Sequence, residues 1–388
     1  MLIITAKLIG FKFASGDSDL DSHIDLMLSS GSLQEDMCGD SLSLDQFRKA
    51  CLLAFYEFHQ FPGQQAWMRV GKLTRLAYWI GLDRLDRFES LPSHNLGWGA
   101  TSQDDCEDWR LVWWFVYRLD TYANLSSGTP YLIDDRLVRT ALICDQESDC
   151  LPESRRSHQK PRLYLPPHPD GLWELVPAIT SASHQTSLFN LHIITATATR
   201  QAGRALQSHM IGAPDETVAS LADLERRLSA LRLSLPKNYL NPMRNAFSNE
   251  THSGHHARLI TVLHLLMARL LVSIMSCSRL DEGDEWLLSW QQVLETCQDI
   301  ASISEQWNSA FSLSVDPAVS FIIFTALIFV DLHKKFAGVT DSALHSNLEH
   351  CEMVLLLLLE QFANTWTLPR LLIREYMLSL LPKRVLSC

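Results

Sequence analysis

The chain has 388 residues, with 33 Lys and Arg against 44 Asp and Glu, a formal charge of −11. With 47% hydrophobic and 20% charged residues it is neither a disordered chain nor a generally basic nucleic-acid binder. Nine cysteines lie far apart and none forms C-x-x-C, which argues against a secreted disulfide scaffold and a thiolate zinc cluster.

The first thirteen residues are apolar but interrupted by Lys7 and Lys12, and no clean cleavage site follows, so they do not read as a signal peptide. Residues 14–45 are rich in Ser, Asp and Gly. Asp17, Asp19 and Asp21 alternate like the start of a calcium loop, but Ser22 and Leu28 stand where its glycine and last acid belong. We read residues 1–43 as a flexible leader.

From Leu44 apolar residues recur at spacings of three and four. Phe47, Cys51, Ala54, Phe55 and Phe58 make one helical stripe, closed by Pro62-Gly63. Val70, Leu73, Ala77 and Ile80 make a second, with Gly81 where a helix C′ residue would sit. Residues 85–103 read as a polar loop. Asp104, Asp105, Glu107 and Asp108 then precede a third helix, whose predicted inner face is Val112, Phe115, Leu119 and Tyr122. Trp113 and Trp114 point about 100° apart on it. One can face the core while the other packs on a neighbouring helix, and together they form a structural hub.

Residues 145–172 carry five prolines and the basic residues Arg155, Arg156, Lys160 and Arg162, and read as a Pro-rich surface loop, with a nuclear-import signal as the alternative. Helical patterns follow at about 183–210, 215–233, 255–277, 285–308, 317–336 and 341–366. Breaks are expected at Pro236, Pro242, Gly254, Gly283, Pro317, Gly338 and Pro369. No strand-like alternation appears, so the expected fold class is all-α: a large multi-helix domain over residues 44–388. The run Val319–Val330 has the length of a buried helix segment rather than a membrane span.

The most enzyme-like string is Asp104-Asp105-x-x-Asp108. Helical terpene cyclases hold magnesium against a diphosphate with such acids. Their second metal motif finds only Asp341, His345 and Glu349, with His where a hydroxyl belongs, and dipole capping accounts for the acids. His255-His256 with His264, and His345 with His350-Cys351, lack metal-site spacing. No phosphate-binding glycine loop and no nucleophile elbow is present. We therefore assign no catalytic, metal or cofactor-binding residue and expect no cofactor.

Glu107-x-x-Arg110-x-x-Trp113-Trp114, Arg118-Leu119-Asp120, Gly128-x-Pro130 and Ile133-x-Asp135 together resemble the middle homology region of fungal zinc-cluster transcription factors. Upstream, Cys51–Glu57, Ala66-Trp67 and Gly71-x-x-x-Arg75-x-Ala77-x-x-x-Gly81-Leu82 resemble its preceding helices; downstream, Leu228–Leu240, His255–Ile274 and Asp316–Val330 resemble its later ones. The chain departs from the family at Trp109 and Leu111 in the Arg cluster, at Thr129 for the Arg of G-R-P, and at Asp83. The family's six-cysteine DNA-binding module is not recognisable, since only Cys38 precedes Cys51.

The resemblance implies a helical regulatory domain in a nuclear transcription regulator of a secondary-metabolite or catabolic gene set, not an enzyme. It implies protein partners, among them a DNA-binding regulator, and a small-molecule effector; the acidic charge and the unrecognised cysteine module argue against direct DNA binding by this chain, and its apolar runs are too short to suggest a membrane span. It also implies structural roles for its motif positions. Glu107, Arg110 and Asp120 are expected in an ionic network, and Gly81, Gly128 and Pro130 at helix ends and turns. A small-ligand-binding helical module without a transcriptional role is the remaining alternative.

Overall fold

The computed structural model describes residues 43–90, 103–144, 162–212, 216–248, 250–278, 283–336 and 342–380, together with 24, 26 and 28. Among them the regular elements are helices, as the periodicities predict. The chain forms two compact units, Met1–Phe58 with Pro62–Ile193, and His59–Phe61 with Ile194–Cys388.

The first unit is built on α1 (Leu44–Gln60), α2 (Gln64–Trp79) and α3 (Gln103–Ser127), with the short α4 (Val176–Thr180) and the start of α5 (His184–Met210). Helix α1 starts with a reciprocal cap: Ser43 N–H donates to Gln46 Oε1 at 2.8 Å, and Gln46 N–H to Ser43 Oγ at 3.3 Å. Its predicted stripe is buried except for the half-buried Phe55, which meets Phe115 of α3 at 6.1 Å. Arg69 of α2 pairs with buried Glu57 and donates to the Leu28 carbonyl at 2.9 Å, while Ile24 is itself buried. Ile24 and Leu28 belong to the stretch read as a flexible leader, most of which lies outside the described residues.

Helix α3 has no Gly or Pro over 25 residues. It buries far more than its predicted face, adding Trp109, Trp113, Trp114, Val116 and Tyr117, while Phe115 is only half-buried. Other elements cover it on several sides, so its polarity does not mark one inner stripe. The start of the expected polar loop is also ordered: Leu82–Ser90 is 3-10 helix, kinked at Arg84. The final part of the Pro-rich stretch likewise forms a 3-10 helix, Pro169–Leu175.

The second unit contains the rest of α5, then α6 (Glu216–Ser234), α7 (His252–Cys277), α8 (Asp284–Glu305), α9 (Pro317–Phe336), α10 (Ser342–Ala363) and α11 (Thr367–Leu380). Successive helices from α6 to α11 pack against one another, and α7 also meets α9. The expected break at Gly254 is absent. Helix α7 begins at His252, and the Thr251 hydroxyl accepts from Gly254 N–H at 3.0 Å, so this glycine sits in the first turn. The pattern expected to run to 366 stops at Ala363, and Pro369 opens α11 rather than ending a helix. A proline in a first turn costs no hydrogen bond, because that N–H has no intrahelical partner. Helices α7 and α9 are long and apolar enough to cross a membrane, yet 78% and 61% of their most apolar stretches are buried inside the protein.

Arg258 anchors the loop before α7. Its side chain is 1% exposed and meets Glu250 at 2.7 and 2.9 Å. It also donates to the carbonyls of Tyr239 at 3.1 Å, Met243 at 3.0 Å and Asn241. A buried guanidinium is tolerated because each side of it is satisfied.

Candidate functional site

The residues singled out from the sequence converge on α3. Trp113 and Trp114 are both completely buried. Trp114 Nε1 donates to the Ala141 carbonyl at 2.8 Å, and its ring meets Tyr117 edge-on at 5.4 Å. Trp113 packs edge-on against Tyr78 of α2 at 5.8 Å, and its Nε1–H has no hydrogen-bond partner among the described residues. The pair thus joins α2, α3 and the 138–144 segment.

One turn before it lies a buried ionic cluster. Glu107 and Arg110, three residues apart, face the same side of α3 and pair. Arg110, 2% exposed, also pairs with Asp86, itself 2% exposed, and its Nε–H lies 3.4 Å from the second Asp86 oxygen. Asp86 further accepts from Arg162 Nη1 at 2.7 Å and from Ala141 N–H at 2.6 Å. Glu107 faces Cys144 N–H at 3.5 Å. Two cations against two anions leave the cluster neutral, the condition under which buried charges are tolerated.

Burial pushes the Glu107 carboxyl above its ordinary value, against the pull of Arg110. Burial alone would depress Arg110, but Asp86 and Glu107 outweigh it and hold the guanidinium above its ordinary value. Burial, with Glu107 nearby, also raises the Cys144 thiol, so this is no activated nucleophile.

Asp120 stands about three turns beyond Arg110 along α3 and does a different job. It accepts from the backbone N–H groups of Leu132 and Ile133, both at 3.2 Å, and from the Asn124 side chain at 2.8 Å. It thereby ties α3 to the segment after the turn. Gly128 has φ +66°; its N–H donates to Leu125 and the next N–H to Asn124, the Schellman arrangement. Gly81 closes α2 in the same left-handed region, at φ +78°. Exposed Pro130 follows the Gly128 turn.

Asp86 and Arg162 were missed from sequence. Asp86 lay in the supposed polar loop, and Arg162 was read as one of four basic loop residues. They join Arg110 from 24 and 52 positions away, and no helical or strand period spans such distances. The stretch Leu82–Phe88 carries two acids and two arginines, and nothing in it singles out Asp86.

Among the described residues, the side chains of the alternative sites are engaged in other contacts. The side chains of Asp104 and Asp105 lie outside the described residues, as does Asp341. Asp108 pairs with Arg48 at 2.7 Å. His345 meets Glu349 at 3.4 Å on the surface, and His350 meets Glu305 at 2.7 Å. His255 Nε2 lies 2.8 Å from the Pro242 carbonyl, and His256 stacks on Phe311 at 4.3 Å. Cys351 is buried beside Asn347. What the cluster on α3 can do chemically is lock three segments together.

The fungal specific transcription factor domain model matches residues 12–209, just over half of the chain and all of the described part of the first unit. The chain belongs to this family. It is 29% identical over 100 residues to the pigment biosynthesis transcriptional activator pigB of Monascus ruber, covering 26% of this chain and 18% of that protein. It is 26% identical over 90 residues to the transcription factor tazR of Aspergillus terreus, covering 23% of this chain and 13% of that protein. The match thus spans less than a fifth of either relative. No solved structure matches the chain.

Proposed function

We propose that this chain is a transcription regulator whose residues 44–388 act as a regulatory domain in the nucleus, controlling a secondary-metabolite gene set. The observation that carries this reading is the family match, laid over a first unit whose motif residues are spent on a neutral, buried lock rather than on catalysis. A regulator needs such a rigid body to present surfaces; an enzyme needs polar groups left facing a substrate. The gene set is suggested by the names of the two relatives, one a pigment biosynthesis activator.

With a charge of −11, the chain is expected to reach promoters through a DNA-binding partner rather than by holding phosphates itself. The test is a reporter in a filamentous fungus, with the chain fused to a heterologous DNA-binding domain. Reporter output is expected to change several-fold relative to the DNA-binding domain alone. A folded, nuclear fusion that leaves output unchanged would overturn the reading.

A further inference from the structure

In the second unit α6, α7, α8 and the turn at Leu240 and Pro242 line a cleft of about 290 Å³. This is close to the lower end of small-molecule pockets, which run from about 300 Å³. Its floor is apolar, with Val262, Leu265 and Leu266 of α7 and Ile303 of α8. Its polar groups are unevenly placed. Arg232 and Arg269 stand with Asp299, while Glu225 lies two turns from Arg232 along α6, about 10 Å away.

Arg269 is 32% exposed and its guanidinium is loosely held. Its nearest acid, Asp299, is 3.7 Å away, too far for a hydrogen bond. Among the described residues it makes that ion pair and donates no hydrogen bond. Burial, with Glu295 nearby, lifts the Asp299 carboxyl above its ordinary value against the pull of Arg269 and Arg232. At this end of the cleft two guanidiniums face the one lining carboxylate of Asp299, and Glu225 at the far end brings the lining to neutrality. Glu225 repels a second negative group at the far end.

We propose that this cleft binds a small monocarboxylic acid, with its apolar body on the floor from α7 and its carboxylate on Arg269 and Arg232. An apolar body alone would leave the guanidinium donors unused, and a dianion would meet Glu225. In the regulatory reading such an acid is the effector. Binding is measured on the chain alone and regulation by reporter output, so either can fail without the other.

The experiment is isothermal titration of the whole chain with octanoate and with 1-octanol. Octanoate is expected to bind at least about tenfold more tightly, about 1.4 kcal/mol in favour of the charged head. Arg269→Gln should bring octanoate down to the level of octanol. Ser229→Trp, an exposed position on α6 at the cleft, should abolish binding of both while leaving helicity and melting unchanged. Should Arg269→Gln fold poorly, Arg232→Gln, on an exposed side chain, reads the same loss. Equal affinity for the two probes, no octanoate binding, or undiminished octanoate binding in any folded variant would overturn the proposal.

Discussion

Replacing Asp86 by Asn removes one charge from the buried cluster and keeps its shape. In the native protein this carboxylate meets Arg110 through both oxygens, Arg162 at 2.7 Å and Ala141 N–H at 2.6 Å. Arg110 is only 2% exposed, so little of it can be hydrated in its place. It would keep Glu107, whose carboxyl burial already pushes towards the neutral form. Breaking a buried pair by removing one partner costs about 3–5 kcal/mol. For a unit of this size each kcal/mol moves the midpoint by about 2–4 °C, so roughly 6–20 °C is expected. Arg162→Met leaves the buried Asp86 carboxylate with Arg110 and Ala141 N–H and removes one bond to it, so it should cost about 1–3 kcal/mol, less than Arg110→Met. Thermal and urea unfolding of Asp86→Asn, Arg110→Met, Arg162→Met and the Asp86→Asn/Arg110→Met double variant read these differences. The double variant should cost less than the sum of its parts by about 1–3 kcal/mol. Loss below about 1 kcal/mol for Asp86→Asn, or strict additivity with Arg110→Met, would refute the account of the cluster as a lock.

Three further predictions test other parts of the fold. Gly128→Ala should cost about 1 kcal/mol by urea denaturation, a purely conformational penalty, because a Cβ there meets nothing within 4 Å while φ stays at +66°. Arg258→Met should cost about 3 kcal/mol or more and loosen the 239–250 loop in hydrogen exchange, because buried Glu250 and three carbonyls lose their partner together. His256 has a ring pKa pushed down to about 4 by burial and then by neighbouring His255, and neither ring nitrogen has a hydrogen-bond partner among the described residues. Its unfolded form takes up a proton below about pH 6.5 and its folded form does not, so stability is present above that pH and drains away towards pH 4. The loss between pH 7 and pH 5 is about 2 kcal/mol. His256→Phe should remove that slope and leave stability at pH 7 equal or higher, as followed by melting across the pH range.

Local physics made much of this protein legible as sequence. Apolar residues three and four apart lay down α1 to α3 and α5 to α10 within a few residues of where they form, because a helix buries a stripe of its own surface, whereas the short α4 left no such pattern. Gly81 and Gly128 marked helix ends because the left-handed region excludes most side chains. The spacing of Glu107 and Arg110 was enough to put them on one side of α3. Tertiary structure decided the rest. It brought Asp86 and Arg162 to Arg110, buried both tryptophans where one had a choice of faces, placed Pro369 inside a first turn, and opened the cleft between α6 and α8. Each of these depends on groups far apart along the chain meeting in space, where the cost of burying a charge or an N–H is set by the partner it finds. The periodicity that announces a helix carries no information about that partner.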